Sequence, residues 1–166
     1  YQAYNDREHQ RIKVFLGPHG VDTCDTDLFL AVKEAGDEYG CLISTPVAQS
    51  LQEVEQLQRT HGCSPVAHLE SIGLLGPNML AAHCLYADED DLEMLRATDT
   101  VVANCPMTFA RGGLYAPYHR FAGKGIRTVL GTDGYIMDVA NEMRMSGLIS
   151  KLEFGRADVG TADDLV

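Results

Sequence analysis

The sequence predicts an α/β fold built on parallel strands, and three observations carry that expectation. Short apolar runs closed by Gly, Pro or Asn recur along the chain. The segments between them place apolar residues at helical spacing. The two kinds alternate from Arg11 onward, with no internal repeat and no low-complexity linker. Strands alternating with helices form βαβ units, and βαβ units make parallel sheets. A chain of 166 residues suits one domain, 1–166, around one core.

The elements follow in order. Residues Tyr1 to Gln10 are polar and read as the tail of a helix or a linker. Arg11 to Leu16 (RIKVFL) reads as a first strand, stopped by Gly17-Pro18-His19-Gly20. Thr26 to Tyr39 is helical behind an Asp/Thr start, and Gly40 ends it. Cys41 to Val47 is a second apolar run. Ser50 to Gly62 is helical, with Leu51, Val54 and Leu57 on one face. Ser64 to Ile72 opens with Pro at a helix start. Met79 to Cys84 is a third strand. Asp88 to Ala97 is a helix with acids in its first turn, which suits the helix dipole. Thr100 to Asn104 is a fourth strand, ended by Cys105-Pro106. Tyr118 to Gly123 is a short helix, and Lys124-Gly125 turns into the run Ile126 to Gly134. That run reads as a buried fifth strand ending in Gly-Thr-Asp-Gly. Val139 to Lys151 is an amphipathic helix, and Thr161 to Val166 reads as a further helix start. Five such strands make either an open doubly wound sheet or five-eighths of a (β/α)8 barrel.

Composition narrows the function. Apolar content of 45% and charged content of 22% describe a globular chain. A net charge of −11 argues against a nucleic-acid or anionic-membrane partner, which would need a basic patch. No apolar run is long enough for a membrane span, and no signal-peptide pattern opens the sequence. The five cysteines are widely spaced with no C-x-x-C, which is neither a disulfide framework nor a zinc knuckle. They read as small core residues in a reducing cytoplasm. A cysteine nucleophile lacks an evident partner base.

Polar groups fall at the carboxyl ends of the expected strands: His19, Gln49, His83, Asn104 and Asp133. Singly, each has a plain explanation. A lone His is often a hydrogen-bonded structural residue, Gln and Asn satisfy loop backbone, and Asp133 suits a turn or helix cap. In a parallel α/β fold, however, all five ends open on one face. Two histidines and an aspartate converging there are parts of a divalent-metal hydrolytic site.

Several blocks carry a family resemblance. They are Gly17-Pro18-His19 with Thr23-Cys24, then Gln52 to Glu55, then Ala81-Ala82-His83-Cys84. Asn104-Cys105-Pro106, Val129 to Gly134 and Asn141 to Arg144 follow. In this order and at about this spacing they resemble the amidohydrolase superfamily, in its atrazine chlorohydrolase, cytosine deaminase and S-adenosylhomocysteine deaminase branch. The resemblance implies strands 4–8 of a metal-dependent (β/α)8 barrel, so a partial barrel domain cut at both ends. It implies a hydrolase in which a divalent ion, Zn or Fe, activates water for attack on a C–N or C–Cl carbon of a small nitrogen heterocycle. By position, Asp133 resembles the last-strand aspartate that binds metal and takes the water's proton. His83 resembles the strand-six histidine that contacts water or substrate, or binds metal. His19 resembles a histidine that touches substrate, and Gln49 and Asn104 are further expected substrate contacts. Phe109, Arg111, Tyr115 and Tyr135 lie in loops where substrate contacts arise, or where ordinary packing does.

The sequence departs from the family pattern in three places. Pro46 and Gln49 stand where a metal His and a proton-shuttling Glu belong. Asn104 stands where His is frequent. The first-strand H-x-H is absent from the sequence. His83 is therefore expected to serve as a metal ligand in place of the lost strand-five histidine. An exposed strand edge would need the missing half, a partner or a second copy, so a homo-oligomer is expected. The competing reading is a barrel that keeps the fold for binding or assembly without catalysis. A phosphate-binding or receiver domain of open flavodoxin-like topology fits less well. Gly17 to Gly20 holds no G-x-G-x-x-G, and no acid pair closes the first strand.

Overall fold

The structure is a computed structural model that describes residues 1–134 and 137–165. Among the described residues, four parallel strands form one sheet in the order β1-β2-β3-β4: β1 Ile43–Val47, β2 Met79–His83, β3 Val101–Asn104 and β4 Thr128–Leu130. The helices are α1 Arg7–Gln10, α2 Thr26–Tyr39, α3 Leu51–His61, α4 Pro65–Ser71, α5 Glu89–Ala97, α6 Pro106–Ala110, α7 Tyr118–Ala122, α8 Val139–Phe154 and α9 Ala162–Leu165. An open doubly wound sheet reverses its strand order at a switch point, whereas a barrel adds each new strand beside the last. Here every strand pairs with its successor in sequence, as in a barrel wall.

The expected first strand is not formed. Only Leu16 reaches the sheet, through a single bridge to Ile43. The Leu16 N–H donates to Leu42 O, and the Ser44 N–H donates to Leu16 O. Ile12 and Phe15 are 43% and 57% exposed, so among the described residues the apolar run has no neighbour on its other side to complete a strand. The last strand is also shorter than its apolar run. It keeps three residues, and Val129 is 45% exposed at the open edge rather than buried.

Local chemistry sets the helix starts. Asp25, Ser50, Ser64, Asp88 and Asp138 each accept a backbone N–H of the following turn. Asp88 and Asp91 form a reciprocal capping box. The helices cover one sheet face, where Ile43, Val47, Met79, Ala81 and Val102 pack with Phe29, Leu57, Leu69, Leu92 and Leu95. On β1 and β2 the alternate residues Ser44, Pro46, Leu80 and Ala82 are only half-buried. Parallel sheets are normally covered on both faces, so this second face is the open wall of a barrel interior. No helix among the described residues is long and apolar enough to cross a membrane.

Candidate functional site at the carboxyl ends of the strands

Strand register brings the expected site residues level. Val47 pairs with His83, Ala82 with Ala103 and Asn104 with Leu130. The chain leaves these ends in a costly backbone shape. Ala48 (φ 48°), His83 (φ 73°), Cys84 (φ 50°) and Asp133 (φ 52°) are all left-handed without being glycine. Each such residue costs about 1–3 kcal/mol, and such strain gathers at functional sites.

His83 ends β2 and is 5% exposed. Its ring meets the Phe109 ring edge-on, with centroids 5.0 Å apart. Its Nδ1 is buried and has no hydrogen-bond partner among the described residues. Burial lowers the imidazole pKa, and the charge of Asp133 acts against that fall. The ring is therefore neutral near neutral pH, the form that ligates a metal or accepts a proton. Asp133 itself is exposed, and its Oδ1 accepts the Gly134 N–H at 2.7 Å. Gly131 makes the approach possible. Its N–H donates to Asn104 O at 2.9 Å, and a Cβ there would stand 2.9 Å from Cys105 Sγ. His83 and Asp133 are near enough for the charge of one to act on the ring of the other.

The other expected residues fare differently. Asn104 is 2% exposed and holds scaffold contacts. Its Nδ2 donates to Ala116 O at 2.8 Å, and its Oδ1 accepts from Ser146 Oγ at 3.3 Å. His19 is exposed, and its Nδ1 faces Thr23 Oγ1 at 3.0 Å. The loop that carries it is tied to β1, since the Gly20 N–H donates to Thr45 Oγ1 at 3.1 Å. Gln49 is half-buried beside that loop, with its Nε2 3.7 Å from where a Gly20 Cβ would lie. Phe109 lines the site through His83, whereas Arg111 and Tyr115 are exposed. Tyr135 lies outside the described residues. All five cysteines are free thiols. Burial raises the Cys84 thiol, and it pushes Cys105 up to about 12, so neither is a nucleophile near neutral pH.

Two buried acids lie beside these strand ends; both fall in blocks that carry the family resemblance, but the sequence assigns them no role. Glu53 is fully buried, and its carboxylate accepts the Ala48 and Gln49 N–H groups at 2.8 and 2.7 Å. It thereby fixes the loop after β1, including left-handed Ala48. The signal for it is Ser50-x-x-Glu53, a capping-box pattern. Here the acid reaches past the cap into the loop. Glu142 on α8 is 1% exposed, and its Oε2 accepts the Met107 N–H at 3.0 Å. Burial raises its pKa, the Met107 bond opposes that rise, and Asp133 and Asp138 add to it.

Burial raises the Glu53 carboxyl from 4.5 to about 7; bonds from the Gln49, Ala48 and Ser50 backbone oppose the rise, and nearby Asp22 adds to it. The sign of the pH effect follows. Between 4.5 and about 7 the folded state holds a proton that the unfolded chain has released. The contribution of Glu53 to stability is therefore greatest below 4.5 and falls as pH rises to about 7. Glu53→Gln removes this slope, so the variant gains relative to wild type as pH rises across that window. Urea unfolding of both proteins at about pH 5 and about pH 7.5 checks it, and a stability difference independent of pH contradicts it.

A cavity of about 370 Å³ lies elsewhere, among α5, α7 and the end of α8, lined by residues such as Arg120, Lys124 and Phe154. None of the strand-end residues lines it.

With this geometry in view, similarity to known proteins decides the family. The profile of the Amidohydrolase family matches residues 2–164. The chain belongs to the amidohydrolase family. It is 34% identical over 148 residues to a 5'-deoxyadenosine deaminase of Methanopyrus kandleri, covering 85% of this chain and 34% of that protein. It is 33% identical over 175 residues to a 5-methylthioadenosine/S-adenosylhomocysteine deaminase of Symbiobacterium thermophilum, covering 100% of this chain and 40% of the relative. An adenosine deaminase from Xanthomonas campestris with bound zinc shares the fold. Its TM-score is 0.85 at 21% identity, over 92% of this chain and 36% of that one. The chain thus spans about a third to two-fifths of the length of these amidohydrolases.

A family metal can be tested against the residues present. A catalytic zinc site takes three protein ligands and leaves one position open. Among the described residues, no three His, Cys, Asp or Glu side chains lie close enough to hold one ion. His83 and Asp133 have the right chemistry for two donors, so this part of the amidohydrolase barrel does not furnish a complete metal site.

Proposed function

We propose that the protein hydrolyses a carbon–nitrogen bond in a small nitrogen heterocycle, releasing ammonia, with His83 and Asp133 at the reaction centre. The observation that carries this is the placement of a buried neutral His83 at the end of β2 and of Asp133 just past the end of β4, on either side of β3 and close enough for the Asp133 charge to act on the imidazole. The deaminase relatives above 30% identity favour a purine nucleoside modified at its 5' position over a chlorinated ring.

A divalent ion, zinc or iron, supplies acidification of a water when bound. The chain's own residues do the rest. The Asp133 carboxylate is exposed, so it accepts a proton from water attacking the ring carbon. Gln49 cannot carry a proton, which leaves Asp133 to return it to the departing amine. His83 stays neutral and presents a nitrogen lone pair to an ion, or orients the water. His19 and Gln49, on adjoining loops, bound the substrate from the β1 side. A small-molecule partner agrees with the net charge of −11.

The second reading, a non-catalytic barrel, is favoured by Pro46 and Gln49 at the end of β1. The test is ammonia release by the full-length protein, loaded with zinc or iron, from 5'-deoxyadenosine, S-adenosylhomocysteine, guanine and a chlorotriazine. Turnover of a purine nucleoside supports the proposal. No ammonia or chloride from any of them overturns it in favour of the second reading.

A further inference from the structure

One buried face of α8 is polar. Glu142, Ser146 and Ser150 stand four residues apart, on one stripe, and are 1%, 0% and 0% exposed. A buried helix stripe is normally apolar. Each of these residues reaches the chain that leaves β3. Glu142 Oε2 accepts the Met107 N–H at 3.0 Å, Ser146 Oγ donates to Asn104 Oδ1 at 3.3 Å, and the His119 N–H donates to Ser150 Oγ at 3.4 Å. Further along, Glu153 Oε2 accepts from Tyr115 Oη at 2.7 Å. Successive turns of α8 therefore hold residues 104–119 in place.

Within that segment α6 carries Phe109, which meets the His83 ring edge-on. The bond from Met107 to Glu142 is the attachment of α6 itself, two residues from Phe109. A buried carboxyl costs more than an apolar side chain of the same size would. What it supplies, and an apolar side chain cannot, is the acceptor for Met107. Glu142 Oε1 and Thr108 Oγ1 are also buried and unpartnered among the described residues, so this corner is polar beyond what that one bond needs.

We propose that Glu142 is a positioning residue: through the Met107 amide it sets α6, and so places Phe109 against His83 where substrate binds. The kinetic part of this rests on the deaminase reading above, and the structural part does not. In the full-length protein, Glu142→Ala should speed hydrogen exchange at the Met107 amide and across α6, while Glu142→Gln, which keeps an acceptor oxygen, should leave it slow. With 5'-deoxyadenosine, Glu142→Ala should lower kcat/KM by about 10–100-fold, mostly through KM, and Glu142→Gln should restore it. Combined with Phe109→Ala it should cost little more than Phe109→Ala alone, because both act at one contact. Should Glu142→Ala fail to fold, Glu142→Asp, which withdraws the same oxygens by one methylene, takes its place. Unchanged exchange at α6, or fully additive losses, overturns the proposal. A wild-type protein that turns over no substrate defeats the functional reading, and the exchange experiment then decides the positioning role alone.

Discussion

Asp133→Asn is expected to lower kcat by about 10²–10⁴-fold, the range for losing a positioned acid–base group, and to leave the fold intact. The substitution removes the carboxylate charge, and with it both the proton acceptor and an anionic ligand for an ion, and little else. Asn is close in shape, its side-chain oxygen still accepts the Gly134 N–H, and Asn tolerates the left-handed backbone that Asp133 adopts at φ 52°. Asp133 is exposed, so no core packing goes with it. The approach through Gly131 and its bond to Asn104 O stays unchanged. The measurement is kcat with 5'-deoxyadenosine beside a thermal melt. A kcat within experimental error of wild type shows that Asp133 is no base.

The second large effect is expected at His83. His83→Ala should abolish turnover and lower the bound-metal content of the full-length protein. The imidazole is 5% exposed, its Nδ1 is free of hydrogen bonds among the described residues, and burial keeps it neutral. A neutral ring nitrogen without a partner is what a metal ligand requires. Pro46, at the end of β1, offers no ligand atom that would compensate. Some stability is lost as well, since the edge-on contact with Phe109 is worth about 0.5–1.5 kcal/mol. Phe109→Ala is the control: it removes that same contact and should keep the metal. Elemental analysis of the two variants separates the roles. Unchanged metal content in His83→Ala sinks the ligand assignment.

Much of the amidohydrolase architecture was legible in the sequence because periodicity reports burial. The runs read at Met79–Cys84 and Thr100–Asn104 form strands over Met79–His83 and Val101–Asn104, each one residue shorter, and Asp88 caps α5 as its acids indicate. Arg11 to Leu16 misleads for a physical reason. A strand exists only when paired, and a single apolar run says nothing of its neighbours. With Ile12 and Phe15 exposed, only Leu16 joins the sheet. Pro106–Ala110 is missed as a helix because five residues show no period. The positions of His83 at the end of β2 and of Asp133 just past β4 were legible from the apolar runs that precede them, while their roles belong to the proposal. Asn104 looked the same, but burial against Ala116 and Ser146 makes it scaffold. Glu53 and Glu142 lie inside blocks that carry the family resemblance, but their burial was hidden. Acids within helices usually face solvent, and these two are instead buried, bonded to the loop after β1 and to α6.

The most direct test of the account is anomalous scattering at the zinc edge from crystals of the zinc-loaded full-length protein. The account predicts a peak within ~2.0–2.2 Å of both a His83 ring nitrogen and an Asp133 carboxylate oxygen. A bound ion that touches neither residue, with the strand ends otherwise as described, would contradict it.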